Sequence, residues 1–183
     1  MHRGKIRKRM RSNSYLEAVH VKQKEAVGEQ LRFGIDIDGT ITQAPSHFKR
    51  LIDAMQQGGH YVAIITARDD GRRAETEELL QLLGISYDEL IMKPIEWPGT
   101  VPEFKVLAVR EYDVQLMFDD EEPNCWAIQQ QTQCLTAHAL PIPELQQEYL
   151  DLLEAYDLRV ARARGLEIDE EEEKQVELNI RGA

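Results

Sequence analysis

Residues 31–40 read Leu-Arg-Phe-Gly-Ile-Asp-Ile-Asp-Gly-Thr, a short and mostly apolar run that ends in two carboxylates, a glycine and a hydroxyl. A run of this length without strict polar alternation suits a strand covered on both faces, as in a parallel sheet. Asp38-Gly39-Thr40 closes it as a tight loop. Two carboxylates two residues apart at a strand end can point to one side. Gly39 lets the backbone turn close to a ligand.

Working outward, the pattern repeats. Ser46 is predicted to cap a helix in which Phe48, Leu51, Ile52 and Met55 follow helical spacing, and Gly58-Gly59 stops it. YVAIIT (61–66) reads as a second buried strand, followed by a polar loop, ARDDG. A helix then carries Leu79, Leu80, Leu82 and Leu83 and ends at Gly84. LIM (90–92), VQLMF (114–118) and CLTAHA (134–139) read as further strands, separated by helices near Pro102–Arg110 and Pro123–Gln131. Strands alternating with helices predict right-handed βαβ units. The expected fold is α/β, a three-layer, Rossmann-like, doubly wound parallel sheet in residues 29–140. A basic tail or helix (1–28) precedes it. After it come a C-terminal helix (141–164) with Leu145, Tyr149, Leu152, Leu153 and Tyr156 on one face, and an acidic tail (165–183).

The 183 residues, 42% of them hydrophobic, suit one such domain. The formal charge of -11 is unevenly spread: the first 24 residues carry +7 and the remainder -18. An acidic body argues against a broad nucleic-acid surface, which needs Lys and Arg to displace counterions. The basic tail has no partner identifiable from sequence. No apolar run approaches the ~20 residues that span a bilayer, and the basic start lacks the apolar core of a secretory signal. Cys125 and Cys134 show neither CxxC spacing nor a nearby His cluster, so a cytoplasmic protein without structural disulfides or zinc is expected. Cys125 and Trp126 read as helix packing, and His47, His60 and His138 as residues without catalytic duty.

In doubly wound sheets, ligands bind beyond the carboxyl ends of the strands. Those ends carry Asp36, Asp38, Gly39 and Thr40, then Thr66-Ala67-Arg68, then Asp119-Asp120. Thr66 and Arg68 suit phosphate oxygens. Three or four carboxylates converging on one mouth call for a cation, and hard oxygen donors without His or Cys favour Mg²⁺. Singly, each feature has a plainer reading: Asp-Gly is often only a turn, and Asp119-Asp120 a helix cap.

Taken in order, FGIDIDGTIT, IITAR, a lysine before the last acidic strand and MFDDEEPNCW resemble the four motifs of the haloacid dehalogenase-like phosphohydrolases. The resemblance covers residues 31–140. It implies that Asp36 is a nucleophile that forms an aspartyl-phosphate and ligates Mg²⁺. It implies that Asp38 is the general acid and base, its backbone carbonyl also reaching the metal. Thr66 would hold the phosphoryl group, a lysine would offset its charge, and Asp119 and Asp120 would complete the metal site. Lys105 is favoured for the lysine, with Lys93 as the competitor.

The short spacings between motifs leave no room for the cap domain many relatives carry. The open site would admit a nucleic-acid end, or be covered by a homo-oligomer neighbour, the N-terminal segment or the 141–164 helix. Within the capless group the motifs look most like the 3′-phosphatase domain of polynucleotide kinase-phosphatases. A phosphorylated nucleotide or small metabolite is an equal candidate substrate. Phosphotransfer to an acceptor other than water and a non-catalytic interaction module are the alternatives.

Overall fold

The computed structural model describes residues 30–140 and 143–163. The expected basic (1–28) and acidic (165–183) segments lie outside the described residues.

Period-two burial sets the layers. β1 (Arg32–Ile35) sends Phe33 and Ile35 to one face, and β2 (Tyr61–Asp69) sends Val62 and Ile64 there. Ala63 and Ile65 of β2, with Ile91 of β3 (Glu89–Lys93), face the other way. Both sets are buried, which is why the strands read as apolar runs rather than alternating ones. On the first face Ile52 and Met55 of α1 (Pro45–Gln57) and Leu80 of α2 (Arg73–Leu82) complete the core. Tyr149 and Leu152 of α5 (Pro143–Ala163) pack against the same cluster. On the second face lie Phe104, Val106, Ala108 and Val109 of α3 (Val101–Glu111), and Ala127 and Ile128 of α4 (Glu122–Gln131).

With β4 (Leu116–Asp119) and β5 (Leu135–His138), the five strands are all parallel, in the order β3-β2-β1-β4-β5. The chain runs outward from β1 to β3, then crosses back to place β4 on the other side of β1. That reversal opens a crevice at the carboxyl ends of β1 and β4, the switch point where such sheets bind ligands. Each crossover holds helices and short loops, and no further domain is inserted among the described residues. No described helix is long and apolar enough to cross a membrane.

Two local expectations change. Ser46 is not the cap of α1: the helix begins at Pro45, and its N-cap, Ala44, makes no side-chain cap hydrogen bond. Proline at the first turn has the helical φ already and one fewer N–H to satisfy. Gly58 and Gly59 do end the helix, Gly59 at φ +79°. The second change is that β2 runs through Thr66-Ala67-Arg68 to Asp69 instead of giving way to a loop. An irregularity between Thr66 and Asp69 shifts its register against β3, so that Asp69 pairs with Lys93. Trp126, read as packing, is 65% exposed, because Asn124, Cys125, Ala127 and Ile128 occupy the inward side of α4. Both cysteines are free and buried.

Gly34 is where the second face is tightest. A Cβ there would lie 2.6 Å from Met117 Sδ and 3.1 Å from Ile65 Cδ1. Gly34→Ala is expected to lower unfolding stability by about 1–3 kcal/mol through overpacking. Denaturant titration should show this as a lower midpoint at unchanged slope.

Candidate active site

The carboxyl end of β1 turns at Asp36, whose N–H donates to Phe118 O of β4 at 2.9 Å. This bond pins the first acidic residue beside the strand that carries Asp119. From the second face, α3 delivers Lys105 into the crevice. The helix is registered by a capping box: Thr100 Oγ1 accepts from the Glu103 N–H, and Glu103 accepts from the Thr100 N–H at 2.7 Å.

Lys105 is only 1% exposed. Its ammonium lies 2.5 Å from Asp36 Oδ1 and 3.0 Å from Asp119 Oδ2, and it donates to Ile65 O at 2.6 Å. Burial pulls its pKa down, but the two carboxylates more than offset that and hold it above the usual lysine value. Asp36 is pushed up to about 6, chiefly by burial, with Lys105 opposing and Asp119 adding. Asp119 is fully buried, and its Oδ1 accepts from the Glu121 N–H at 3.0 Å and from Asn124 Nδ2 at 2.9 Å. Its Oδ2 receives no directed hydrogen bond. The Lys105 ammonium faces that oxygen at 3.0 Å as an ion pair.

The remaining carboxylates go elsewhere. Asp38 is held by Arg68 through both side-chain oxygens, Nη2 to Oδ1 at 2.5 Å and Nε to Oδ2 at 2.8 Å. Tyr149 of α5 shares a side-chain hydrogen bond with Arg68, so the C-terminal helix reaches the rim of the crevice. Asp120 folds over the backbone of Gly39, where its carboxyl occupies the space a Cβ would take, and Thr40 Oγ1 donates to it at 3.4 Å. Gly39 has φ +75°, and its N–H donates to Thr42 Oγ1 at 2.9 Å. Where the sequence reading draws three or four carboxylates together, the fold brings two onto one lysine and gives the others partners of their own.

Thr66 is fully buried, its hydroxyl accepting the Arg68 N–H at 3.3 Å, and Ala67 lies between them at the strand irregularity. The two lysines separate cleanly. Lys105 joins Asp36 and Asp119, whereas Lys93 pairs with Asp69 at the β2–β3 edge. Sequence reasoning missed Asn124, which orients Asp119 from the first turn of α4; a lone Asn five residues after an Asp carries no pattern. It also left His138 without a role near the site, yet His138 Nε2 meets Asp120 O at 2.7 Å and must donate to it.

Among the described residues no three His, Cys, Asp or Glu side chains group as a ready-made metal site. The donors available to Mg²⁺ at the switch point are the carboxylate oxygens of Asp36 and Asp119, both beside the Lys105 ammonium. All are hard oxygens, and in chemistry the set fits that ion.

The fold is similar to that of chains in two solved structures, described as the structure of the Pnkp1/Rnl/Hen1 RNA repair complex and the structure of the Pnkp1/Rnl/Hen1 complex. The first is 17% identical with a TM-score of 0.54 over 63% of this chain and 46% of that one. The second is 18% identical with a TM-score of 0.52 over 62% and 47%. This chain thus spans less than half the length of those chains. At such identities the likeness shows the fold alone. No protein-family model matches the sequence, and no curated protein matches it.

Removing the ammonium while both carboxylates stay buried leaves like charges facing each other. Lys105→Met is expected to cost about 3–5 kcal/mol of stability. Adding Asp36→Asn should recover part of that loss, a coupling that a double-mutant cycle in denaturant would measure.

Proposed function

We propose that this chain is a Mg²⁺-dependent phosphohydrolase that transfers the phosphoryl group of a phosphate monoester to Asp36 and then to water. The observation that carries this reading is Lys105, buried and bridging Asp36 and Asp119 at the switch point of the sheet. A permanent cation beside a poised carboxylate supports attack on a phosphorus that carries negative oxygens.

In this reading Asp36 attacks phosphorus and becomes the acyl phosphate. Asp38 protonates the departing ester oxygen and then takes a proton from the water that cleaves the intermediate. For that, its carboxyl must leave or share Arg68, which is free to turn to a phosphate oxygen as it does so. Thr66, with the neighbouring Ala67 backbone, would hold the transferring group, and Lys105 balances its charge. Mg²⁺, held by Asp36, Asp119 and the Asp38 carbonyl with Asp120 nearby, would supply further charge neutralisation on the phosphoryl oxygens.

The substrate class in this proposal is a nucleotide or the 3′-phosphorylated end of a nucleic acid. Among the described residues no inserted domain lies between the strands that form the crevice, which supports a substrate too large to enclose. The similarity to chains from an RNA repair complex supports the same direction.

Hydrolysis of a generic aryl phosphate should require Mg²⁺ and stop with chelator. Asp36→Asn should reduce it by more than about 10³-fold, with the fold retained by circular dichroism. Asp38→Asn should reduce it by roughly 10²–10⁴-fold. A folded wild type that is silent on aryl phosphates and on 3′-phosphorylated oligonucleotides would instead indicate a phosphotransferase or a non-catalytic module.

A further inference from the structure

The ion pair at the rim of the crevice joins two side chains in different surroundings. That of Arg68 is only 16% exposed, whereas that of Asp38 is 58% exposed. Both Asp38 oxygens accept from the guanidinium, Oδ1 from Nη2 and Oδ2 from Nε. The carboxylate can turn outward into water, while the guanidinium lies where the protein covers it. Part of that cover is α5. Its Tyr149 and Leu152 pack against the cluster that holds Val62 and Ile64 of β2, and the Tyr149 hydroxyl meets the guanidinium of Arg68 at the end of the same strand.

The helix does not depend on that contact for its place. Just before it, Leu140 O accepts from Gln43 Nε2 at 2.5 Å. Two turns beyond Tyr149, about 10 Å along the axis, the Tyr156 hydroxyl donates to Glu78 of α2. Tyr149 is thus presented to Arg68 by a helix secured on either side of it. A guanidinium only donates, so the phenolic oxygen accepts, and it remains an acceptor when Asp38 lets go. Without it, an arginine released by Asp38 would regain its rotamer freedom, and an incoming anion would have to order it again. With one N–H still anchored, the planar fork stays aimed at the crevice.

We propose that Tyr149 is a positioning residue: its hydroxyl holds Arg68 at the crevice while a phosphate oxygen takes the place of the Asp38 carboxylate on the guanidinium. The C-terminal helix is then part of the active site, although it lies outside the strand-end residues that the site is built from. Tyr149 acts through Arg68 and on the binding of phosphate, not on the transfer itself. The substrate role rests on the phosphohydrolase reading, whereas the hold on Arg68 and its effect on phosphate binding do not.

The test uses inorganic phosphate, which needs no turnover, titrated with Mg²⁺ into the isotope-labelled full chain while the Ala67 backbone amide is followed by NMR. Wild type should show a saturable shift. Tyr149→Phe, which keeps the ring and its packing, should weaken phosphate roughly five- to tenfold. The same change in an Arg68→Met background should have no further effect. Tyr156→Phe, which loosens the same helix at Glu78, should leave phosphate affinity within about twofold. On an aryl phosphate, Tyr149→Phe should raise KM by the factor seen for phosphate and leave kcat within about threefold. No saturable shift in wild type, unchanged affinity in Tyr149→Phe, an equal loss in the Arg68→Met background, or an equal loss in Tyr156→Phe would each overturn the proposal. Phosphate binding with the expected dependence on Tyr149 but no hydrolysis would uphold the positioning role and remove the phosphohydrolase. Hydrolysis with phosphate affinity indifferent to Tyr149 would do the reverse.

Discussion

A lysine ammonium almost without water contact stands between two carboxylates at the point where the sheet reverses its winding. Burial pushes the Asp36 carboxyl upward and the Asp119 charge adds to the push, so a buried anion there needs a cation beside it. Lys105 makes the arrangement tolerable, and it does so from a different layer: Asp36 follows β1, Asp119 ends β4, and the lysine comes from α3. The strand order brings the first two together, and the packing of α3 on the second face delivers the third. The architecture and the charge arrangement are therefore one problem. Shifting α3 by a single turn would withdraw the ammonium and leave two buried anions facing each other.

Around this centre the polar groups are layered by how firmly they are held. Asp119 is fixed on one side by a backbone N–H and by Asn124, and Asp36 by the ladder to β4. Farther out, Asp38 and Arg68 form a half-exposed pair, joined by Tyr149 from the C-terminal helix. The buried pair is rigid because water cannot replace its partners. The outer pair is exchangeable because water, or a phosphate, can. That gradient suits the proposed chemistry, where the attacking carboxylate must be placed in advance and the acid–base carboxylate must change partners.

Much of the framework was legible because burial on both faces writes itself as apolar runs. The strands at 61–66, 90–92 and 114–118 and their helices lie where the runs do. Polar residues inside a strand leave no such trace, so Ala67-Arg68-Asp69 reads as a loop although it continues β2. Candidate residues were visible as residues at strand ends, but their partners were not. Whether Lys93 or Lys105 faces Asp36 depends on which strand adjoins β1, a long-range fact that local pattern does not contain. The same holds for Arg68 with Asp38, thirty residues apart. Asn124 and His138 escaped because each matters through one hydrogen bond, and single polar residues have no period.

The interlock of Gly39 with Asp120 has a further consequence. The carboxyl of one loop occupies the volume where the other loop would place a side chain, and the glycine's positive φ leaves few residues able to take its place. The two loops descend from neighbouring strands, so neither can drift without displacing the other. In evolutionary terms the two positions form a single heritable unit: a larger residue at either one becomes tolerable only after the other has yielded space. Divergent descendants of this chain would be expected to change both together or neither.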